Sequence, residues 1–164
     1  MTKMDYEHLF ALAKPHLEKN DLGAAHTSRV LDIARKNFAI PKELQDLTFS
    51  AIILHDIGGT SIKEQYEKGP TIAASILQQM QCDKDFVDQV CQIVGTHHDH
   101  PDNPSLPFRV LYDSDKLVMF SQEEFPSYDA RPDFDWNKIV DLLYSEKAKT
   151  LVRETLRQRR KEKK

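Results

Sequence analysis

Residues His26, His55, Asp56, His97, His98 and Asp115 combine imidazole and carboxylate chemistry at spacings that turn them toward helix interiors. Neutral imidazole nitrogens and carboxylate oxygens are ligands of first-row divalent ions. Buried without partners, the same groups cost free energy, so their presence on apolar stripes calls for compensation. Over 84–98, Val87, Val90, Cys91 and Val94 follow one helix face, and the progression arrives at His97 and His98. Over 106–122, Phe108, Leu111, Tyr112, Val118 and Met119 form a stripe whose middle position is Asp115. Asp113 is rotated about 200° from Asp115 and is expected to face elsewhere. His26 leads Val30 and Ile33 on the inner side of another helix, and Leu44, Leu47, Ala51 and Leu54 run into His55-Asp56. From the residues alone, a shared metal site and separate buried pairs are both open.

The elements that must position these groups read as helices at 5–19, 24–38, 41–57, 70–80, 84–98, 106–122 and 136–158. Asp21-Leu22-Gly23, Pro41, Gly58-Gly59, Gly69-Pro70 and the Pro101–Pro107 and Pro126–Pro132 stretches punctuate them. Helical spacing with only 5 glycines favours an all-α, single-domain bundle of about six to seven helices over a sandwich or barrel. A chain of 164 residues, 40% apolar, is expected to form one domain over 1–164.

Net charge is −3 but uneven: Arg153–Lys164 holds seven basic and two acidic residues, leaving −8 on the rest. The basic end, 153–164, reads as a solvated helix terminus rather than a nucleic-acid contact, since cations favour a helix C-terminus. Apolar runs fall short of the roughly 18–20 residues of a membrane span, and the N-terminus lacks a leader pattern, so no membrane contact and a cytoplasmic location are expected. Cys82 and Cys91 read as reduced thiols. His8, His16 and His100 read as surface or loop histidines, and Asp99 and Asp102 as solvated loop acids. Phe125, Tyr128 and Phe134 read as exposed aromatics, suited to cover a site mouth or to form a homodimer contact.

In order, His26 within His-Thr-Ser-Arg-Val, His55-Asp56 within Ile-Leu-His-Asp-Ile-Gly-Gly and Asp115 within Asp-Ser-Asp-Lys-Leu resemble the H...HD...D signature of the HD domain superfamily. The resemblance covers roughly residues 22–120. It implies a helical bundle in which His26, His55, Asp56 and Asp115 bind one divalent metal (Mn, Fe, Co, Ni, Zn or Mg). The implied activity is a metal-dependent phosphohydrolase acting on a small phosphorylated substrate, a nucleotide or a related ester or anhydride. Some branches add metals through a histidine pair resembling His97-His98 and a histidine in a His-Pro or His-Gly-Pro turn. Lys68 stands at that last position here, leaving a second, weak site on Asp56, His97 and His98 as the alternative. The glutamate that single-metal nucleotidases carry three residues after the His-Asp aspartate is replaced by Gly59, and the Asp-Gly-Tyr-Pro motif of the cyclic-di-GMP branch is absent.

Hydrolysis needs a nucleophilic water and charge on the phosphoryl oxygens, and a divalent ion supplies both. Asp56 would orient that water, with His97 or His98 as acid, base or phosphate contact. Arg29, Lys63 and Lys116 are the cations near enough in sequence to contact substrate. Two other functions fit the pattern: a silent nucleotide- or metal-binding regulatory domain, and a di-iron oxygenase, which the missing histidine at Lys68 disfavours.

Overall fold

The computed structural model describes residues 3–162, and among them it is all-helical. In chain order the helices are α1 (Tyr6–Leu17), α2 (Gly23–Asn37), α3 (Lys42–Leu54), α4 (Ile62–Gln79), α5 (Lys84–Val94) and α6 (Leu106–Leu117). A short 3₁₀ turn (Val118–Phe120) leads on to α7 (Phe125–Asp129), α8 (Trp136–Leu142) and α9 (Glu146–Glu162). Side chains with capping chemistry start several of them. Asp5, Ser61, Asp83, Ser105 and Asp135 each accept a backbone N–H from the first turn of the helix that follows.

Helix α3 is the central element. It packs against α1, α2, α5 and α6, and its second half, Thr48 to Leu54, is buried throughout. Around it α2 and α6 close one side and α4 and α5 the other, so the end of α3 emerges where α2, α5 and α6 converge. A second apolar cluster, under α7 to α9, gathers Leu117, Phe120, Phe125, Trp136, Val140, Val152 and Leu156. Phe125 stacks on Trp136, and Tyr128 and Phe134 pack edge-on or tilted around it. These aromatics therefore form an internal cluster instead of the exposed set expected from the sequence.

Four helix boundaries differ from the sequence reading. The helix expected to begin at 70 begins at Ile62 and carries Pro70 inside it. A capping box supplies the earlier start, with the Glu64 N–H donating to Ser61 Oγ and the Ser61 hydroxyl donating to the Glu64 carboxylate. The helix expected to reach 98 stops at Val94, and Gly95 to His98 form a turn. The helix expected over 106–122 tightens to a 3₁₀ turn after Leu117. The helix expected over 136–158 is two helices broken at 143–145, because the buried carboxylate of Asp113 accepts the N–H groups of Tyr144 (2.8 Å) and Ser145 (3.0 Å). The basic end is α9 through Glu162, with Arg153, Arg157, Arg160 and Lys161 exposed and Arg159 turned in to donate to the Phe120 carbonyl. Lys163 and Lys164 lie outside the described residues. Among the described residues no helix is long and apolar enough to cross a membrane.

The early start of α4 depends on glycine. A Cβ on Gly58 would lie 2.6 Å from the Glu64 carbonyl oxygen, 2.7 Å from the Gly69 nitrogen and 2.9 Å from the Gln65 Cα. Gly69 in turn leaves room for Val94 of α5. Backbone thus packs directly on backbone where the turn after α3 crosses α4. Gly58→Ala must push the two apart, and the expected loss is ~3 kcal/mol of unfolding free energy in urea titrations; a loss below about 0.5 kcal/mol would show that the crossing is loosely packed.

Candidate metal centre

Three helices deliver the cluster. His26 sits in the first turn of α2, His55 caps the C-terminus of α3 with Asp56 next in the turn, and Asp115 lies in the last turn of α6. Asn20 ties the turn down by donating to the Asp56 carbonyl at 2.8 Å. His26 Nε2 stands 3.1 Å from Asp115 Oδ1 and 3.3 Å from Asp56 Oδ2. His55 Nε2 stands 3.4 and 3.3 Å from the same two oxygens. Atoms each about 2.1 Å from one ion stand roughly 3.0 to 3.4 Å apart in right-angled to tetrahedral arrangements, so these four N···O pairs have the spacing of ligands on one divalent ion. His26, His55 and Asp56 form one group whose ligand atoms all lie within 4.8 Å of one another, and Asp56, His97 and His98 form another.

The lone pairs agree. His26 Nδ1 lies 2.9 Å from Glu124 Oε2, and His55 Nδ1 lies 2.5 Å from the Ile52 carbonyl oxygen. Both neighbours only accept, so both Nδ1 atoms carry the proton and both Nε2 atoms of the neutral rings point lone pairs into the cluster. His55 Nε2 is fully buried and has no hydrogen-bond partner there. Burial opposes charge on these rings, yet Asp115, Asp56 and Glu124 push His26 up to about 12, and Asp56 and Asp115 push His55 up to about 10. Burial likewise works against both aspartates, and the imidazoles of His26 and His55 hold them well below the usual carboxylate range. The cluster thus demands positive charge, which two imidazolium protons or one divalent ion can supply.

His97 and His98 lie beside the cluster, across Asp56. His97 Nδ1 lies 2.8 Å from the Val94 carbonyl oxygen, and its Nε2 lies 3.8 Å from Asp56 Oδ1. Burial, reinforced by the charges of His55 and His98, pushes His97 down to about 3, and burial also lowers His98. The residue that faces this pair from α4 is Gln65. Its amide nitrogen donates to the Gly59 and Thr60 carbonyls, which turns Oε1 toward His97 Nε2 (3.1 Å) and His98 Nε2 (2.8 Å). Tyr66 also supports the pair, accepting from the His98 N–H and donating to Asp99. Lys68, which the sequence reading placed at the additional metal position, is instead mid-helix, 62% exposed and paired with Glu64. Gly59 has φ +148°, and a Cβ there would meet the Glu64 side chain at 2.8–3.0 Å, so Glu64 fills the space a side chain at 59 would take.

The proposed substrate contacts divide. Lys116 projects beside the cluster, 5.2 Å above the Tyr112 ring, and its charge is felt at His98. Lys63 is exposed on the first turn of α4. Arg29 is committed elsewhere, donating through Nε (3.0 Å) and Nη2 (2.9 Å) to Glu124. Glu124 and Gln65 were missed in the sequence. Gln65 carried a signal, as the head of the buried stripe Gln65, Gly69, Ala73 and Leu77, visible only once the helix is extended through Pro70. His100 is exposed as expected, but it is fastened by donation to the Leu142 carbonyl and by stacking on Tyr144. Cys82 and Cys91 are free thiols.

Asp113 and Asp115 make a controlled pair, since one caps a backbone break and the other faces the imidazoles. Asp115→Ala is expected to abolish uptake of divalent metal, measured by elemental analysis. Asp113→Ala is expected to keep the metal while losing about 2 kcal/mol of stability from two orphaned N–H groups. Equal metal content in both variants would remove Asp115 from the ligand set.

The family model for the HD domain matches residues 23–119, a span that contains all four cluster residues together with His97 and His98. Comparison with curated proteins and comparison with solved structures each find no match. With the helical architecture, the convergence of His26, His55, Asp56 and Asp115, and a match over more than half its length, the chain belongs to the HD domain family.

Proposed function

We propose that this protein is a metal-dependent phosphohydrolase that acts on a small phosphorylated substrate, a nucleotide or a related ester or anhydride, with one divalent ion held by His26, His55, Asp56 and Asp115. The observation that carries the reading is the set of 3.1–3.4 Å separations from the two imidazole Nε2 atoms to the two aspartate oxygens. The direction in which the cluster opens adds to it. The two imidazoles are 7% and 0% exposed, whereas Asp56 and Asp115 are 17% and 12% exposed, so the approach from solvent is on the carboxylate side.

A divalent ion at this position supplies charge stabilisation for phosphoryl oxygens and lowers the pKa of a bound water. The chain's own residues do the rest. His97 Nε2 stands 3.8 Å from Asp56 Oδ1 and 3.1 Å from Gln65 Oε1, so the ring lies directly beside the proposed ion and buttresses that aspartate. Burial keeps His97 neutral at working pH. His98 donates through Nε2 to Gln65, which leaves its Nδ1 free to take a proton or to contact a phosphoryl oxygen. Lys116 adds a positive charge on the same side as His98. Asp56, His97 and His98 also have ligand atoms within 4.8 Å of one another, so a second, weaker ion beside Gln65 is the alternative to a single one.

The test is phosphate release from a panel of nucleotides and simpler phosphate esters with Mn²⁺, Co²⁺, Ni²⁺ or Zn²⁺ added to chelator-stripped protein. Turnover should appear with metal, vanish with excess chelator and return on reloading. His98→Ala should lower kcat about a hundredfold while metal content holds. Metal uptake with no turnover of any substrate would favour the silent binding-domain reading.

A further inference from the structure

Each of the three most deeply placed imidazoles is held by its Nδ1, but not by the same kind of group. His55 and His97 follow the ends of α3 and α5 and donate to carbonyls three residues back, Ile52 and Val94. Such carbonyls are free because the last turn of a helix has no further N–H to fill them. His26 is in the first turn of α2, where no such carbonyl is on offer, and its Nδ1 is met instead by Glu124, ninety-eight residues on.

Glu124 is built for that contact more than for its ion pair. Its residue is 1% exposed and its side chain fully buried, whereas the Arg29 side chain is 26% exposed. An arginine that served only to neutralise a carboxylate would take both oxygens in a two-pronged fork. Here Arg29 Nε, Arg29 Nη2 and His26 Nδ1 all converge on Oε2, while Oε1 is buried with no hydrogen-bond partner. The carboxylate has given up the fork to keep its oxygen on the imidazole. Its main chain is fixed too, since the Glu124 N–H donates to Ser121 Oγ and the Glu124 carbonyl accepts from the Ser127 hydroxyl.

We propose that Glu124 is a positioning residue that holds His26 in the Nδ1–H form, with its Nε2 lone pair aimed at the divalent ion, and that Arg29 neutralises Glu124 instead of binding substrate. The inference rests on the metal reading given above. A carboxylate behind a ligating histidine orients the ring and raises its basicity, and loss of such a partner commonly weakens metal binding by about ten- to a hundredfold.

The test titrates chelator-stripped wild type, Glu124→Met and Glu124→Gln with Co²⁺, followed by visible absorption and chelator competition, beside thermal melts of the metal-free proteins. Glu124→Met should bind Co²⁺ about ten- to a hundredfold more weakly, with an altered ligand-field spectrum. Glu124→Gln, which keeps an acceptor oxygen without the charge, should lose about threefold to tenfold, on the scale of a partial loss of that support. Wild-type affinity and spectrum in Glu124→Met would overturn the role of Glu124 and leave the metal reading standing. A wild type that takes up no Co²⁺ would overturn both. If Glu124→Met has no cooperative melt, Glu124→Gln decides: weakened affinity supports the role and unchanged affinity overturns it.

Discussion

Two aspartates facing the same small space, Asp56 and Asp115, set the conditions that the rest of this molecule meets. Both are largely withdrawn from water and both are held ionised, so they repel one another and need positive charge within contact distance. The imidazoles of His26 and His55 stand at 3.1–3.4 Å from the aspartate oxygens, on two helices that also share the main apolar core. Replacing their protons by a divalent ion changes the carrier of the charge without changing the demand. Apolar packing brings α2, α3 and α6 together, and the charge requirement fixes which residues stand at the point where they meet.

The helix ends sharpen the same field. His55 caps the C-terminus of α3, and His97 follows the C-terminus of α5, so the partial negative ends of two helices add to the two carboxylates. The free carbonyls that make up those ends also dictate the tautomers of the two rings. Helix α2 points the opposite way, presenting its partial positive N-terminus at His26, and it has no side-chain cap of its own. Glu18 answers part of that deficit by accepting the Ala24 N–H, and Glu124 answers the rest from behind the imidazole. One cluster thus receives negative charge from two helix C-termini and, where a helix N-terminus faces it, from a carboxylate brought in by the 3₁₀ turn and α7.

Much of this was legible in the sequence because inward polar residues interrupt periodic stripes. The stripe through Phe108 and Leu111 assigned Asp115 to the interior and turned Asp113 away, and the structure places both so; Asp113 proved buried as well, serving the break before α9. The convergence of His26, His55, Asp56 and Asp115 and the all-helical class were equally visible, whereas His97 and His98, expected on the end of a helix, stand on the turn after α5. Glycine and proline hid what was not. Gly69-Pro70 reads as a helix stop on local grounds, but tertiary contact with Gly58 makes the small residue an advantage and keeps α4 intact through it. Once α4 was cut short, Gln65 had no stripe to belong to. Glu124 was harder still, since it lies in a polar stretch, Ser121 to Glu124, whose relation to His26 exists only after the chain has folded back over nearly a hundred residues.

The Gly58–Gly69 crossing connects fold to chemistry more directly than its distance from the cluster suggests. Because no side chain separates the turn after α3 from α4, the Gln65 amide can bond the carbonyls of Gly59 and Thr60 and still present its oxygen to both histidines. Widening that crossing by one methyl group would draw Gln65 away from His97 and His98 and would also strain the turn that carries Asp56, two residues before Gly58. The crossing therefore couples Asp56 to the neighbouring histidine pair. A neutral amide at this point accepts from His98 without adding charge, so the negative charge in the cluster stays concentrated on Asp56 and Asp115. Charge so confined calls for cationic charge at the same place, and Asp56, which belongs both to the group with His26 and His55 and to the group with His97 and His98, joins the two.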